Sequence, residues 1–300
     1  LQTPENIYRN TNMKNIGKSV RDKLYNISKA NNLSFQHLII RYLHERLLYR
    51  IGVSKYNANF YLKGGTLLYM LSKGTMWRYT MDIDFSLHQI EYDQQKIVDT
   101  FKEICTLQTN DGVVFDAESI SSGFIRENDR YGGIRVFVNS KLDTIKQRLQ
   151  IDLGYGDVVY PKPSQINFPV ILDDKEIPLI FAYSVETVIA EKFHAMIELS
   201  EMNSRMKDFY DVYQLLHAGN YHPETLEMAI KTTFKQRKTG FTENHELFST
   251  GFAADSGRVK QWQAFLKKID QTETINFADV IGRITSIIKP IWLSLSAKNS

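Results

Sequence analysis

Hydrophobic and polar positions follow two different patterns along this chain. Up to about residue 180, short segments that alternate apolar and polar residues, typical of strands, are interspersed with segments of helical spacing. From Ser184 almost to the end, only helical spacing continues. We therefore predict an α+β fold, with a mixed sheet and flanking helices in residues 1–180 and a helical C-terminal domain in residues 181–300. The boundary is marked by a cluster of prolines, Pro161, Pro163, Pro169 and Pro178.

The same patterns predict individual elements. Helical spacing predicts helices over Asn6–Ala30, Phe35–Arg50, Asp93–Leu107, a segment beginning at Ser184, and Met206–His217. Strand-like runs are Val113–Ser119, Gly123–Arg126, Gly133–Asn139, Leu149–Leu153 and Ile177–Ala182. The helix at Phe35–Arg50, for which Ser34 is the expected N-cap, also carries Arg41, Arg46 and Arg50. For these arginines we expect a solvated cationic face, the alternative being a substrate-binding face.

The segment from residue 60 to residue 87 combines two chemical signals. A short strand, Phe60–Leu62, is interrupted by Lys63, Gly64, Gly65 and Thr66, and a helix over Leu67–Leu71 follows. Glycines between a strand and a helix leave backbone N–H groups free at the helix N-terminus, and such groups favour a phosphate.

The second signal is an acidic strand, Met81–Phe85. Because side chains alternate along a strand, Asp82 and Asp84 share one face, roughly 6.5 Å apart. Two adjacent carboxylates repel each other unless a cation lies between them, and hard oxygen ligands suit Mg²⁺. Phosphoryl transfer commonly uses two such ions. Asp152, in the alternating run Leu149–Leu153, is a candidate third ligand; the alternative is a strand-end aspartate satisfied by a turn.

A lysine on an apolar helix face provides an independent signal. Lys192 lies in the middle of the stripe formed by Val188, Ile189 and Met196. It either extends its ammonium to solvent or meets an anion, such as a triphosphate or an acidic ligand.

On the next predicted helix, Asp208 lies at the edge of the apolar stripe and Asp211 points away from it. Asp208 also lies in the first turn, where a carboxylate favours the helix dipole without any catalytic role.

Composition narrows the class of protein. The net charge of +3 is compatible with a nucleic-acid partner without indicating one. A single cysteine, Cys105, excludes an internal disulfide and favours a reducing cytoplasm. We expect no membrane-spanning segment, because no apolar run approaches the roughly 20 residues needed.

Three sequence blocks together resemble the AbiEii/AbiGii toxin family. They are KGGTLLYML, RYTMDIDFSL and ETVIAEKFHAMIELSEMNSRMKDFYDVYQLL, and their order and spacing cover roughly residues 35–220. The resemblance implies a polymerase-β-like nucleotidyltransferase core followed by a helical domain. It also implies a toxin of an abortive-infection or type IV toxin–antitoxin pair, with a cognate antitoxin as partner.

Carried onto this sequence, the resemblance assigns roles to named residues. Asp82 and Asp84 bind metal, and Lys192 and Asp208, less surely Asp211, correspond to later family residues. With the residue arguments, the predicted catalytic set is Asp82, Asp84, Asp152, Lys192 and Asp208, with Asp82, Asp84 and Asp152 as Mg²⁺ ligands. The predicted phosphate-binding set is Lys63, Gly64, Gly65, Thr66, Arg78 and Lys192.

We therefore hypothesise a Mg²⁺-dependent transfer of a nucleotide from an NTP to an acceptor hydroxyl, most simply the 3′ end of an RNA such as tRNA. Basic stretches at residues 235–238 and 260–268 could steer the RNA, although a solvated surface explains each of them. The alternatives are nucleotidylation of a protein hydroxyl and an NTP-binding module, for GTP for example, without turnover.

Overall fold

A computed structural model describes residues 4–72, 78–125, 132–199, 205–271 and 275–298, with side chains described from residue 16 onward. The chain forms two compact units. The first, here the sheet unit, comprises Leu1–Met70, Tyr79–Gly156 and Ser164–Ala182. The second, the helical unit, comprises Leu71–Arg78, Asp157–Pro163 and Tyr183–Ser300. Two short segments thus belong to the helical unit although they precede its main part in the sequence.

A seven-stranded mixed sheet forms the centre of the sheet unit. Its strands are β1 (Phe60–Lys63), β2 (Asp82–Leu87), β3 (Val113–Phe124), β4 (Gly133–Leu142), β5 (Ile145–Tyr155), β6 (Ser164–Asn167) and β7 (Leu179–Ala182). Their order is β3-β4-β5-β2-β1-β7-β6, with parallel pairs β2–β5 and β1–β7 and antiparallel pairs elsewhere. The predicted mixed sheet of an α+β fold is confirmed.

The helices of the first part of the chain are α1 (Pro4–Ala30), α2 (Phe35–Val53), α3 (Gly64–Leu71) and α4 (Gln94–Cys105). Three of them begin within two residues of the predicted start, whereas α3 begins three residues before the predicted Leu67, so Gly64, Gly65 and Thr66 form its first turn rather than a break before it. Ser34 caps α2 by accepting a hydrogen bond from the His37 N–H, and Asp93 caps α4 by accepting one from the Lys96 N–H. Leu43 and Leu47 of α2 are buried, as the helical spacing predicted.

Two strand predictions need correction. The runs predicted as separate strands around residues 113–119 and 123–126 form one strand, β3, whose pairing register with β4 shifts between Asp116 and Ser121. This irregularity breaks the alternation and explains the false division; Arg126 lies outside the described residues. Strand β6 was not predicted, because it is short, polar and confined to the sheet edge.

The predicted solvated face of α2 is wrong for two of its arginines, because Arg46 and Arg50 are buried. Arg50 donates to both oxygens of buried Asp111, at 2.7 and 3.3 Å. An Arg46 Nη2 lies 2.7 Å from a carboxylate oxygen of buried Glu45. Each charge is therefore compensated by a partner inside the fold, which the helical spacing alone does not reveal.

Helices make up the described part of the helical unit from residue 185 onward, apart from the connecting segments. They are α5 (Val185–Leu199), α6 (Met206–Ala218), α7 (Pro223–Gln236), α8 (Thr250–Ala254), α9 (Ser256–Lys268) and α10 (Phe277–Ala297). Aromatic rings fill the interior: Phe193 lies 5.6 Å from Phe234 and 5.8 Å from Trp292, measured between ring centroids. Helix α6 ends at Gly219, whose φ of 70° lies in the left-handed region that glycine adopts most easily.

Helix α10 corrects the expectation that the chain lacks a segment resembling a membrane span. Among the described helices, it alone is long and apolar enough to cross a bilayer by length and composition. Its buried stripe includes Val280, Ile284, Ile288 and Trp292, and its Arg283 side chain donates to the Leu216 carbonyl at 3.1 Å. These contacts are those of a core helix packed within the helical unit.

Candidate active site

Three predicted carboxylates lie together at the centre of the sheet. Asp82 and Asp84 lie on β2, and Asp152 on the adjacent parallel strand β5, directly opposite Asp84. One carboxylate oxygen from each residue lies within 4.8 Å of the others, and all three side chains are half-buried. The sequence argument therefore identified three acids that the fold brings together.

Charged residues extend from these acids in a row across four strands. Lys63 on β1 is the pairing partner of Asp84, Asp84 is that of Asp152, and Asp152 is that of Arg135 on β4. Arg135 donates Nε to one Asp152 oxygen at 2.8 Å and Nη2 to the other at 2.7 Å. This hydrogen bond raises the pKa of Arg135. The guanidinium thus supplies part of the charge that compensates the adjacent carboxylates.

Two threonines position Asp82. Thr80 donates its hydroxyl to Asp82 Oδ1 at 2.7 Å, and buried Thr66 donates its hydroxyl to the Asp82 carbonyl at 3.0 Å. Because the single hydroxyl hydrogen of Thr66 is donated to the strand, this residue links α3 to β2. Its predicted role in holding a triphosphate stays a prediction.

A buried histidine lies near the acidic strand. His44 on α2 is only 2% exposed, and burial lowers its pKa to about 4 despite the opposing effect of Asp82. The imidazole is therefore neutral at physiological pH. Its position could not be predicted, since a lone histidine on an apolar helix has no local feature that marks a nearby carboxylate.

The turn between β1 and α3 requires glycine for two reasons. Gly64 has a φ of 66°, which L side chains rarely adopt. A Cβ atom at this position would also lie 1.9 Å from Asp84 Oδ2. The Asp84 carboxylate therefore lies directly against the backbone at the start of α3, where N–H groups lack intrahelical partners.

The donor set fits a hard divalent cation. Three carboxylates with oxygens within 4.8 Å of one another provide the ligand type that Mg²⁺ and Mn²⁺ prefer. The set contains no thiolate or imidazole, so it does not resemble a structural zinc site.

Lys192 lies in a second charged cluster, within the helical unit. Its ammonium lies 2.9 Å from Asp208 Oδ1 and 2.7 Å from Asp211 Oδ2. Arg78 donates to both oxygens of Asp211 at 2.8 Å, and Arg205 lies 2.9 Å from Asp208 Oδ2. From the sequence, the Lys192 ammonium was expected either in solvent or beside an anion, such as a triphosphate or an acidic side chain. The contacts within the helical unit are with acidic side chains.

Burial and charge determine the protonation of this cluster. Desolvation by itself would lower the pKa of Lys192, but Asp211 and Asp208 outweigh it and the pKa is raised. Desolvation would likewise raise the pKa of Asp211, but Lys192 and Arg78 outweigh it and the pKa is lowered. Lys192 and Asp211 therefore both remain charged at neutral pH.

The relative placement of the two aspartates was only partly predictable. Asp208 and Asp211 are 1% and 0% exposed, although the apolar stripe of α6 placed the first at its edge and the second away from it. The apolar stripe marks only one face of α6, whereas Lys192 of α5 and Arg78 contact another face. The partnership of Arg78 with Asp211 could not be read from the sequence, because 133 residues separate them.

Comparisons with known proteins agree with this architecture. The family model described as Nucleotidyl transferase AbiEii toxin, Type IV TA system, matches residues 46–283. The fold is similar to the crystal structure of a candidate nucleotidyltransferase from H. pylori, with a TM-score of 0.50, 15% identity, and coverage of 89% of this chain and 99% of that one. JHP933 from Helicobacter pylori aligns with a TM-score of 0.49 and 16% identity over 89% of this chain and 96% of that one. Among the curated proteins, none gives a significant match.

Proposed function

Because the chain belongs to the AbiEii nucleotidyl transferase toxin family of type IV toxin–antitoxin systems, we propose that it transfers a nucleotide from an NTP to the 3′ end of an RNA, such as tRNA. The family establishes nucleotidyl transfer as the class of reaction; the metal, the acceptor and the antitoxin are proposed. The observation that carries the proposal is the meeting of Asp82, Asp84 and Asp152 beside the Gly64 turn.

The three carboxylates would hold the metal. Bound Mg²⁺, as two ions in the proposed site, supplies charge neutralisation for the triphosphate and for the attacking oxygen. Asp82 and Asp84 come from one strand and present their oxygens to the same side, so both would hold the metal. Asp152 would complete the ligand set or accept the proton of the acceptor hydroxyl.

Arg135 bears on which of these two roles Asp152 takes. Both Asp152 oxygens accept hydrogen bonds from the guanidinium, which holds the carboxylate in one orientation. A carboxylate held in a fixed orientation beside two others suits a metal ligand. We therefore favour the ligand role for Asp152.

The phosphate-binding roles follow from the sequence and the family. We propose that the backbone at Gly64 and Gly65 binds the triphosphate at the start of α3, helped by Lys63. Lys192, Asp208 and Arg78 are further predicted site residues. Within the helical unit Lys192 and Arg78 are held by aspartates, so their action on a phosphate would require them to share or exchange these partners.

A labelling experiment tests the function. Purified protein is incubated with Mg²⁺, each α-labelled NTP in turn, and total tRNA. Label in RNA that disappears in Asp84→Asn supports the proposal, whereas Asp99→Asn, an exposed aspartate on α4, serves as the matched control and should retain full activity. Label in a protein band instead would select protein nucleotidylation. Nucleotide binding in calorimetry with no label in either acceptor would select a binding module.

The proposed partner and location follow from the family and from the cysteine. A type IV toxin implies a cognate antitoxin, which co-expression and a growth assay would reveal. Cys105 is buried and unpaired, and burial raises the pKa of its thiol to about 12. An inert thiol is compatible with the reducing cytoplasm that we propose as the location.

A further inference from the structure

We propose that the exposed face of the β4–β5 hairpin binds the phosphate backbone of the RNA acceptor and leads it to the carboxylates. This inference rests on the proposed function, because it names the path by which that acceptor reaches the site. It concerns one face of the sheet unit, here called the hairpin face and defined by Arg135, Phe137, Asn139 and Lys141 on β4 and Lys146, Arg148, Gln150 and Asp152 on β5.

Strand register places these eight residues on one side. They form four directly opposed pairs, Arg135 with Asp152, Phe137 with Gln150, Asn139 with Arg148, and Lys141 with Lys146. The intervening residues face the other side and are buried, among them Val136, Val138, Leu149 and Ile151. The hairpin face is therefore continuous from Asp152 to the hairpin tip, about 20 Å at 3.4 Å per residue.

The outer part of the hairpin face carries positive charge without internal compensation. Lys141, Lys146 and Arg148 are all exposed, and none of them forms an ion pair with any residue that the structure describes. Many other cations of the sheet unit do form such pairs, for example Lys23 with Asp174 and Lys55 with Glu103. These three charges are therefore available to an external anion.

The opposition of Lys141 and Lys146 is itself informative. Like charges directly opposite each other on neighbouring strands destabilise a sheet. A pair of this kind contributes nothing to folding, whereas it gives two cations a few ångströms apart for a polyanion. A nucleic-acid backbone, with its regularly spaced phosphates, is such a ligand.

An aromatic contact lies between these cations and the carboxylates. The Arg148 guanidinium lies 4.1 Å from the centroid of the Phe137 ring, within the range of a cation–π interaction. Phe137 is half-buried, one pair nearer to the acids than Arg148. Proteins that bind single-stranded nucleic acids combine cationic side chains, which contact phosphates, with aromatic side chains, on which bases stack.

A concavity of about 680 Å³ lies over the outer end of the hairpin face. Its lining includes Lys141, Lys146 and Arg148, and Asp116 and Glu118 of the adjacent strand β3 form its acidic rim. A carboxylate oxygen of Glu118 also lies 3.8 Å from the ammonium of Lys102, a residue that does not line the concavity. The acidic rim borders the cations on one side and would keep a phosphate backbone on β4 and β5.

Direct binding tests the hairpin face. The triple variant Lys141→Gln, Lys146→Gln, Arg148→Gln is compared with the wild type for binding of fluorescent tRNA, without NTP or divalent metal, at several salt concentrations. We expect about 10- to 100-fold weaker binding at 0.15 M salt and a slope of log K against log salt that is smaller by about 2 to 3. The matched control replaces three exposed lysines outside the basic stretches, Lys18 and Lys29 of α1 and Lys231 of α7, by glutamine.

Each outcome decides the inference. Selective loss in the hairpin variant, with an unchanged thermal transition, supports it, since removing like-charge repulsion should not lower stability. Equal loss in both variants, loss in the control variant alone, or unchanged binding overturns it. The inference is also overturned if the wild-type protein binds no RNA. This includes the case in which the hairpin face binds an acidic protein instead. Because binding is measured without turnover, these results are separate from the labelling experiment, which tests the function.

Discussion

Asp84 and Asp152 lie directly opposite each other on the parallel strands β2 and β5, at the middle of the sheet. A parallel pair of strands presents neighbouring side chains to the same face, so the two carboxylates repel unless a cation compensates them. Arg135 pairs with Asp152 from the far side, which leaves the side toward Asp82 and Asp84 for a divalent ion. Asp152 is therefore expected to contribute to the binding of that ion.

Replacement of Asp152 by asparagine should weaken divalent-cation binding. The amide retains nearly the same shape but loses the charge and one acceptor oxygen. We expect an affinity loss of at least about 100-fold, the upper end of what loss of an outer-shell partner costs. Binding of Mn²⁺ measured by electron paramagnetic resonance reports this without any turnover. Unchanged Mn²⁺ affinity would exclude Asp152 as a ligand and leave it as the ion-pair partner of Arg135.

Alanine at Gly64 should remove metal binding, whereas alanine at Gly156 should not. Both glycines have positive φ, 66° and 77°, so both substitutions cost about 1–2 kcal/mol of backbone strain. Only at position 64 does the new Cβ collide with a carboxylate, because nothing lies within 4 Å of it at position 156. We expect both variants to lose thermal stability, and only Gly64→Ala to lose Mn²⁺ binding. This combination would show that Gly64 makes room for Asp84. Equal metal binding by the two variants would contradict this.

Asp211→Asn should destabilise the helical unit more than Asp208→Asn. Asp211 is fully buried and contacts Lys192 and Arg78, whereas Asp208 contacts Lys192 and Arg205, whose side chain is 48% exposed. Removing one partner from a buried ion pair typically costs about 3–5 kcal/mol, and solvent reduces this for a pair with an exposed member. Denaturant unfolding of the two variants measures the difference. Equal destabilisation would show that the forked Arg78 contact contributes little.

Lys192→Met should lower stability as well as activity. The substitution leaves two buried carboxylates facing each other with one fewer cation, an arrangement that costs several kcal/mol. A loss of transfer in this variant therefore does not by itself show a catalytic role. Lys192→Arg keeps the charge; folding with native stability but no transfer would assign Lys192 to the reaction. Restored transfer in Lys192→Arg would instead assign it to the support of α5 and α6.

The acidic strand shows what a local pattern can determine. Alternation along residues 81–85 and 149–153 was enough to place Asp82, Asp84 and Asp152 on the strand faces opposite the apolar residues, and the sheet order then brings them together. The pattern could not indicate Arg135, because its contact with Asp152 depends on the register of a hairpin rather than on its own neighbours in sequence.

The charged residues of α2 and α6 show where the same reasoning fails. Helical periodicity identifies one apolar face and treats the remaining positions as exposed. Arg50 and Asp211 are nevertheless buried, because each meets a charge from a distant segment, Asp111 and Arg78 respectively. Compensation of this kind is a property of the tertiary fold, and the sequence spacing contains no measure of it.

Acid should destabilise the helical unit through His194, and glutamine at this position should remove the effect. His194 is buried beside Thr239, with Glu198 at 3.7 Å and Arg237 at 3.5 Å from its Nδ1, and burial, assisted by Arg237, lowers its pKa to about 4. Because the folded-state pKa is below the ordinary value of about 6.5, the stabilisation is fully present above pH 6.5 and is lost as the pH falls toward 4. From pH 7 to pH 5 we expect a loss of about 2 kcal/mol in the free energy of unfolding. The glutamine in His194→Gln can still hydrogen-bond Thr239 but does not titrate. From pH 7 to pH 5, the free energy of unfolding of this variant, measured in urea, should therefore fall by about 2 kcal/mol less than that of the wild type. The same fall in variant and wild type would place the acid sensitivity elsewhere, with His44 of the sheet unit as the next residue to replace.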